Sequence, residues 1–414
     1  MDIWDVVVIG GGPAGMMAAV TAAKLNKKVL ILEKNSRLGE KLLITGGGRC
    51  NVTNAEPDLR KLLSKFKESD QFLFSAFSKW DNSKTIEFFN ERGMDTKVEA
   101  ENRVFPKSNS AESVWRVLID ELQKYNVTIR SNSPVSSLET IENKIIGVKL
   151  KNGEVIHAHS FILATGGKSR PETGSTGDGF KWLKEIGHKV IESSAALVPI
   201  TVKDEWVKKL AGISLSEVKI TLLQNYMKQD VRKGKILFTH VGLSGPTILN
   251  MSRDISELLK YGEVVVSIDL LPMFDPGQLN ERLQEIFKEE NNKKIKNSLG
   301  NLVPTALANA VLEYGEIDPE TPCHSVSRES RLKLVETFKN MQSTVTGLLG
   351  LEKAVVTSGG VALKEIDFKT MQSKLFPNLY IIGDLLNIDR PSGGYSLQLC
   401  WTTGFVAGSS VSDK

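Results

Sequence analysis

The stretch DVVVIGGGPAG, residues 5–15, constrains this chain more than any other. Val6, Val7, Val8 and Ile9 form an unbroken β-branched run, the pattern of a short strand buried on both faces of a parallel sheet. Gly10, Gly12 and Gly15 follow in the G-x-G-x-x-G spacing, and an Ala- and Met-rich helical run opens at Pro13 and Ala14. Gly10 permits the tight turn, Gly12 lets backbone approach a pyrophosphate, and Gly15 lets helix pack on strand. The helix N-terminus then offers N–H donors and a positive dipole end to phosphate. A second strand, residues 28–32, ends at Glu33, placed to accept hydrogen bonds from adenosine ribose hydroxyls. A carboxylate there disfavours a 2′-phosphate, because two negative charges would meet.

With 414 residues, the chain can build two or three domains. Its 41% hydrophobic and 25% charged content is that of an ordinary globular protein. A formal net charge of +4 is too small for an electrostatic nucleic-acid footprint, so nucleic acid is not an expected partner. Cys50, Cys323 and Cys400 are far apart and form no C-x-x-C pair, so neither a disulfide framework nor a metal site is expected. The first strand begins within five residues of the N-terminus, with no signal peptide and no long apolar span. A cytoplasmic location without membrane association is the expectation. Composition leaves the oligomeric state open.

Residues 35–54, NSRLGEKLLITGGGRCNVTN, carry three successive glycines beside Thr45, Arg49, Cys50 and Asn51. That composition suits a loop whose amides lie against a flat or anionic ligand, with Lys41 and Arg49 supplying positive charge. Residues 55–125 read mostly as helices, clearest at 83–92 and 110–124. Short strands follow at 127–130, 135–141 and 144–150, and Asn152-Gly153 signals a hairpin into 154–158. Residues 161–165 read as another buried strand, ending at Gly166-Gly167, and a helix opens at 178 or 179. From 193 to about 345 alternating segments suggest a β-barrel, with a helical, Lys/Glu/Asn-rich insert at 276–312. The last 65 or so residues resume the strand–glycine–helix pattern of the opening stretch. A strand at 378–382 ends in Gly383-Asp384, and a helix opens near Gly393-Gly394. The ends of three strands, at Gly10, Gly166 and Gly383, would share the crevice of an open parallel sheet.

Five motifs now stand together: GEKLLITGGGRCNVTN, ATGG with TGSTGDG, LFTHVGLSGP, TSGGV and GGYSLQLCWTTGFVAG. With them, nearly the whole chain resembles the BaiN/YhiN-type FAD-dependent oxidoreductases of the two-dinucleotide-binding flavoprotein superfamily. The resemblance implies an α/β fold. A Rossmann-like FAD-binding domain with a β-meander would comprise 1–192 and 345–414. An inserted β-barrel domain, 193–344, would carry the helical insert and the substrate pocket. It implies FAD as the cofactor, with Gly12, Ala14 and Gly15 at the pyrophosphate and Glu33 and Lys34 at the ribose. Lys41, Leu43, Thr45, Gly46, Gly48, Arg49, Cys50 and Asn51 would line the ribityl chain and isoalloxazine. Val135 would meet adenine through its backbone, and Ala164, Thr165 and Gly166 would flank the adenosine. Gly383 and Asp384 would sit at the ribityl or phosphate oxygens. Gly394, Tyr395, Ser396, Leu397 and Gln398 would bring a helix N-terminus to the flavin pyrimidine edge, stabilising the reduced anion.

Asp384, Arg390 and Ser396 depart from that pattern, which carries Glu, Gly and Asn there. His240, in THVGLSGP, and Tyr395 are the candidate catalytic side chains, and Cys50 reads as a packing residue. The expected activity is hydride transfer between FAD and a small organic substrate. An NAD(P)H-driven reduction of activated double bonds and an amine oxidation are its two versions. A flavin-binding module for nucleic acid is the non-enzymatic alternative.

Overall fold

The computed structural model describes residues 3–350 and 356–411. Two compact units emerge: Met1–Ala196 with Ala354–Lys414, and Leu197–Lys353.

The first unit is built on a five-stranded parallel sheet. Its strands run in the order Leu379–Ile381, Ala158–Leu163, Trp4–Ile9, Val29–Leu32 and Thr128–Arg130. Val6 to Ile9 and Val29 to Leu32 are buried, as a sheet covered on both faces requires. The first strand is central: the chain leaves it to one side for Val29–Leu32 and returns on its other side with Ala158–Leu163. Its C-terminal end is therefore a topological switch point, where such sheets hold ligands. The helix Pro13–Lys24 packs on the C-terminal helix Tyr395–Ser410 through small residues. A Cβ at Gly404 would lie 2.5 Å from the Ala14 carbonyl oxygen, and one at Gly408 2.4 Å from that of Ala18. The β-meander takes the form of three antiparallel strands, Val135–Ile141, Lys144–Leu150 and Val155–Ile156.

Some elements differ from the sequence reading. Two strands inside 55–125, Arg103–Pro106 and Thr96–Glu99, join Thr53–Asn54 just before it in a small antiparallel sheet. Its strands are two to four residues long, too short to show a period of two. The strand expected at 161–165 begins at Ala158, which pairs with Trp4. The segment expected to be helical over 276–312 is broken into Pro276–Glu289, Ile295–Ser298 and Thr305–Tyr314. Pro304 precedes the last of these and cannot sit inside a helix. A further helix, Arg328–Lys339, lay outside the sequence reading.

The second unit is a closed six-stranded barrel, ordered Ile200–Val202, Gly242–Ser244, Met227–Thr239, Ser214–Gln224, Val264–Asp269 and Met341–Leu348. Pairing of the first with the last closes it and removes the sheet edges. Val218, Ile220, Leu222, Ile236, Phe238 and Val266 alternate inward to form its core. The insert's Leu279, Leu283 and Leu307 join the same core, and a Lys339–Asp269 pair at 2.7 Å ties the helix Arg328–Lys339 to the barrel strand Val264–Asp269.

Candidate functional site

A cleft of about 890 Å³ opens at the C-terminal ends of the parallel strands. Gly10, Gly12, Pro13, Ala14, Glu33, Lys34, Lys41, Val135, Ala164, Thr165, Gly166, Gly383 and Asp384 all line it. Residues from six separate stretches of sequence are thus brought to one wall.

The floor is the turn between first strand and first helix. Gly10 has φ +105°, and a Cβ there would lie 2.6 Å from the Ala164 carbonyl oxygen. Gly15 lies beneath, where a Cβ would meet the Gly10 oxygen at 2.0 Å. A Cβ at Gly12, in contrast, meets nothing within 4 Å, so backbone faces open cleft there. Gly12 caps the helix without a side-chain hydrogen bond, and Pro13 has no N–H. The first helical N–H groups, at Ala14 and Gly15, have no carbonyl partner within the helix.

Glu33 is 7% exposed. Its Oε2 accepts from Gly11 N and its Oε1 from Asn35 N, both at 2.8 Å. These bonds fix the carboxylate at the cleft wall with lone pairs to spare. Lys34 turns to Asp178, at 2.9 Å. Burial opposes ionisation of Asp178, but Lys34 and Thr176 outweigh it and hold the carboxyl below its usual range. Thr165 lines the wall, but its Oγ1 is buried against Gly179 and has no hydrogen-bond partner. An open glycine cradle and a fixed carboxylate together fit the adenosine diphosphate half of FAD.

The glycine loop lies next along the chain. Gly46, Gly47 and Gly48 all have positive φ and are exposed, and a Cβ at Gly47 or Gly48 would touch nothing. Thr45 Oγ1 bonds the Leu42 carbonyl, and Cys50 N bonds the Thr45 carbonyl at 3.0 Å. Leu43 is half-buried beside them. Cys50 is buried, and burial pushes its thiol up to about 12. It is a neutral packing group at physiological pH. Arg49 turns to the small sheet, bonding Glu99 and, at 2.8 Å, Asn109, with its guanidinium 4.1 Å from the Phe105 ring centre.

The start of the C-terminal helix is fastened to this loop. With its amide oxygen turned to Gly394 N at 3.0 Å, Asn51 also donates to the Thr53 and Val104 carbonyls. A Cβ at Gly394, φ +99°, would lie 2.3 Å from the Thr53 carbonyl group. Gln398 is fully buried: its Oε1 accepts from Thr53 Oγ1 at 2.6 Å, and its N–H returns to the Gly394 carbonyl. Tyr395 is 7% exposed, and its ring packs on Phe66. Burial raises its phenol, which keeps its proton at neutral pH. The first-turn N–H groups of Tyr395, Ser396 and Leu397 have no partner within the helix. Asp384 pairs with Arg390, and its other oxygen lies 3.8 Å from Lys41. Burial works against its charge, yet Arg390 and Lys41 hold its carboxyl below the usual range. Burial likewise lowers the Lys41 ammonium, with Asp384 opposing. His240 lies in the second unit, exposed after the strand Met227–Thr239.

Sequence reasoning missed several cleft residues. Asn35, Ser133, Ser175, Asp178, Trp182 and Cys400 also line the wall. The helix starting at Asp178 was legible, but nothing in its composition pointed its first turn at a ligand.

Residues 4–410 match the HI0933-like protein Rossmann domain. A ribosomal RNA dihydrouridine synthase of Escherichia coli is 31% identical over 99% of this chain and 98% of its own. A 3-dehydro-bile acid delta(4,6)-reductase of Clostridium scindens is 30% identical over 98% of both chains. Among solved structures, a 3-ketosteroid delta1-dehydrogenase from Sterolibacterium denitrificans has a TM-score of 0.56 at 13% identity, covering 99% of both chains. A 3-ketosteroid-delta4-(5alpha)-dehydrogenase from Rhodococcus jostii RHA1 has 0.54 at 15%, over 99% of this chain and 97% of that one. Among the described residues no helix is long and apolar enough to cross a membrane. The chain belongs to the HI0933-like Rossmann-domain family and is an FAD-dependent oxidoreductase.

Proposed function

We propose that this protein uses FAD to reduce a ring carbon–carbon double bond conjugated to a carbonyl, drawing its electrons from NAD(P)H. The observation that carries the reading is the cleft with its open cradle at Gly12 and fixed Glu33. The relatives narrow the chemistry. A dihydrouridine differs from uridine by two hydrogens across a ring double bond beside a carbonyl, and a delta(4,6)-reductase also acts on ring double bonds.

When bound, FAD would supply two-electron hydride chemistry, of the kind a conjugated double bond accepts at its β-carbon. The chain's residues do the rest. Gly12, Ala14 and Gly15 present N–H groups and a helix dipole to the diphosphate, and Glu33 orients the adenosine ribose. The exposed glycines 46–48 leave room for a planar ring to lie on backbone. The first-turn N–H groups of the C-terminal helix, at Tyr395, Ser396 and Leu397, stabilise negative charge without reorganising. The proton that balances the hydride at the α-carbon would come from a side-chain donor, and the Tyr395 phenol, which burial keeps protonated, is the candidate in the first unit.

The test is anaerobic. NADH and NADPH are each added to the flavin-loaded protein, and the reduced enzyme is mixed with uridine-containing ribosomal RNA, a conjugated steroid dienone or primary amines. Reoxidation by RNA or dienone, with two hydrogens gained in the product by mass, is the expected outcome. Flavin reduced by amines, and left reduced by both unsaturated substrates, would replace this reading with amine oxidation.

A further inference from the structure

The cleft wall holds a cluster of three charges whose arrangement bears on anion binding. Asp384 sits in the turn Gly383–Leu385, directly after the strand Leu379–Ile381. Its Oδ1 accepts from Arg390 Nη2, and its Oδ2 lies 3.8 Å from Lys41 Nζ. The Arg390 side chain has no exposed surface. Its Nη1 donates to the Ile388 carbonyl at 2.8 Å and its Nε to Ser396 Oγ at 3.1 Å. That guanidinium is spent inside the protein. Lys41 and Asp384 line the cleft, whereas Arg390 does not reach it.

Two cations against one carboxylate leave the cluster with one positive charge. Arg390 has claimed the carboxylate, and 3.8 Å is too long for a hydrogen bond from Lys41. The ammonium donates instead to the Ser169 hydroxyl, at 2.6 Å, a neutral partner that leaves its charge in place. Removing Arg390 would reverse this. An unpaired carboxylate in a low-dielectric wall is costly, and the nearest relief is closure of the gap to Lys41. The cluster would then be neutral.

We propose that Arg390 is a positioning residue for the diphosphate of the cofactor: by neutralising Asp384 from the protein side, it keeps the Lys41 ammonium available to phosphate oxygens. The proposal rests on the FAD reading above. It explains why a carboxylate can stand beside a diphosphate at all, and gives Ser396 a part, since its hydroxyl orients the guanidinium.

Calorimetric titration of the flavin-free full chain with ADP tests it, with adenosine as the control lacking phosphate. R390M should weaken ADP by about tenfold or more, the scale of one charge-assisted hydrogen bond, and leave adenosine unchanged. Adding D384N to R390M restores the positive charge and should return ADP to within about threefold of wild type, as expected for directly coupled groups. D384N alone should bind ADP at least as tightly as wild type, a readout that survives if R390M does not fold. ADP binding unchanged in R390M, equal losses for ADP and adenosine, no recovery in the double variant, or weakened ADP in D384N would each overturn the proposal. A wild-type chain that binds ADP but not FAD would remove the flavin reading and leave this one standing. A wild type that does not bind ADP removes this one.

Discussion

Glu33 and Gly394 show how one residue can fix a site by opposite means. Glu33 acts through what it accepts: two backbone N–H groups lock its carboxylate, so its remaining lone pairs face the cleft. Glu33→Gln keeps the shape but removes the charge and presents N–H to N–H. FAD affinity should fall about tenfold or more, on the scale of a hydrogen bond to a charged group, as read by flavin fluorescence on dilution. Gly394 acts through what it lacks. Gly394→Val would drive a side chain into the Thr53 backbone, 2.3 Å away, in a left-handed conformation. Overpacking of this kind costs about 1–3 kcal/mol, so the melting temperature should drop before any shift in flavin potential is read. A variant of normal stability would show that the strand Thr53–Asn54 yields. The thiols make a third case. Cys50 and Cys400 are buried, their thiols raised to about 12 by burial, so neither should react with a disulfide reagent in the folded protein at neutral pH. Rapid labelling of Cys50 in native protein would contradict its reading as a packing group.

Legibility divides cleanly among the elements. The G-x-G-x-x-G turn was readable because each glycine answers a local demand, for φ at Gly10 and for closeness at Gly15. The strand-end glycines at Gly166 and Gly383 were readable for the same reason, and both line the cleft. The small sheet around Arg103–Pro106 was not readable, since it is held by partners distant in sequence. Nor could any spacing rule reveal that Arg49 stacks on Phe105, or that Arg390 reaches back to Asp384. The crossing of helices Pro13–Lys24 and Tyr395–Ser410 is likewise tertiary. Gly404→Val should separate the helices at Ala14, destabilise the protein by about 1–3 kcal/mol and loosen FAD, because Ala14 is also cleft wall. Unchanged flavin affinity in a destabilised variant would uncouple the crossing from the cleft. A pH response belongs to another junction. His188, just past the helix Asp178–Glu185, is buried between Glu365 and Ser373, at 2.9 Å from each. Burial lowers its proton affinity, with Glu365 opposing. A depressed histidine favours the folded state above its unfolded value of about 6.5 and gives up that stability as pH falls below it. H188Q should flatten the loss of stability as pH falls below about 6.5 in urea titrations; an unchanged slope would assign it elsewhere.

The whole molecule is one chain folded as two units, with the second inserted into the first. Replacing Leu197–Lys353 by a short linker should leave a protein that binds FAD, since every cleft residue lies in the first unit. Turnover of unsaturated substrates should be lost. Full activity in the shortened chain would place the substrate pocket outside the barrel.

The order of the parallel sheet also sets a schedule. Its edge strand, Leu379–Ile381, and the helix Tyr395–Ser410 come from the far end of the chain. On the ribosome, strands from residues 4 to 163 emerge first, and the barrel emerges complete behind them. Domains fold as units as they appear, so the barrel can close while the cleft still lacks the wall at Gly383 and Asp384. Cofactor loading is therefore an event of the finished polypeptide. Nascent or prematurely terminated chains would carry a folded barrel and no flavin.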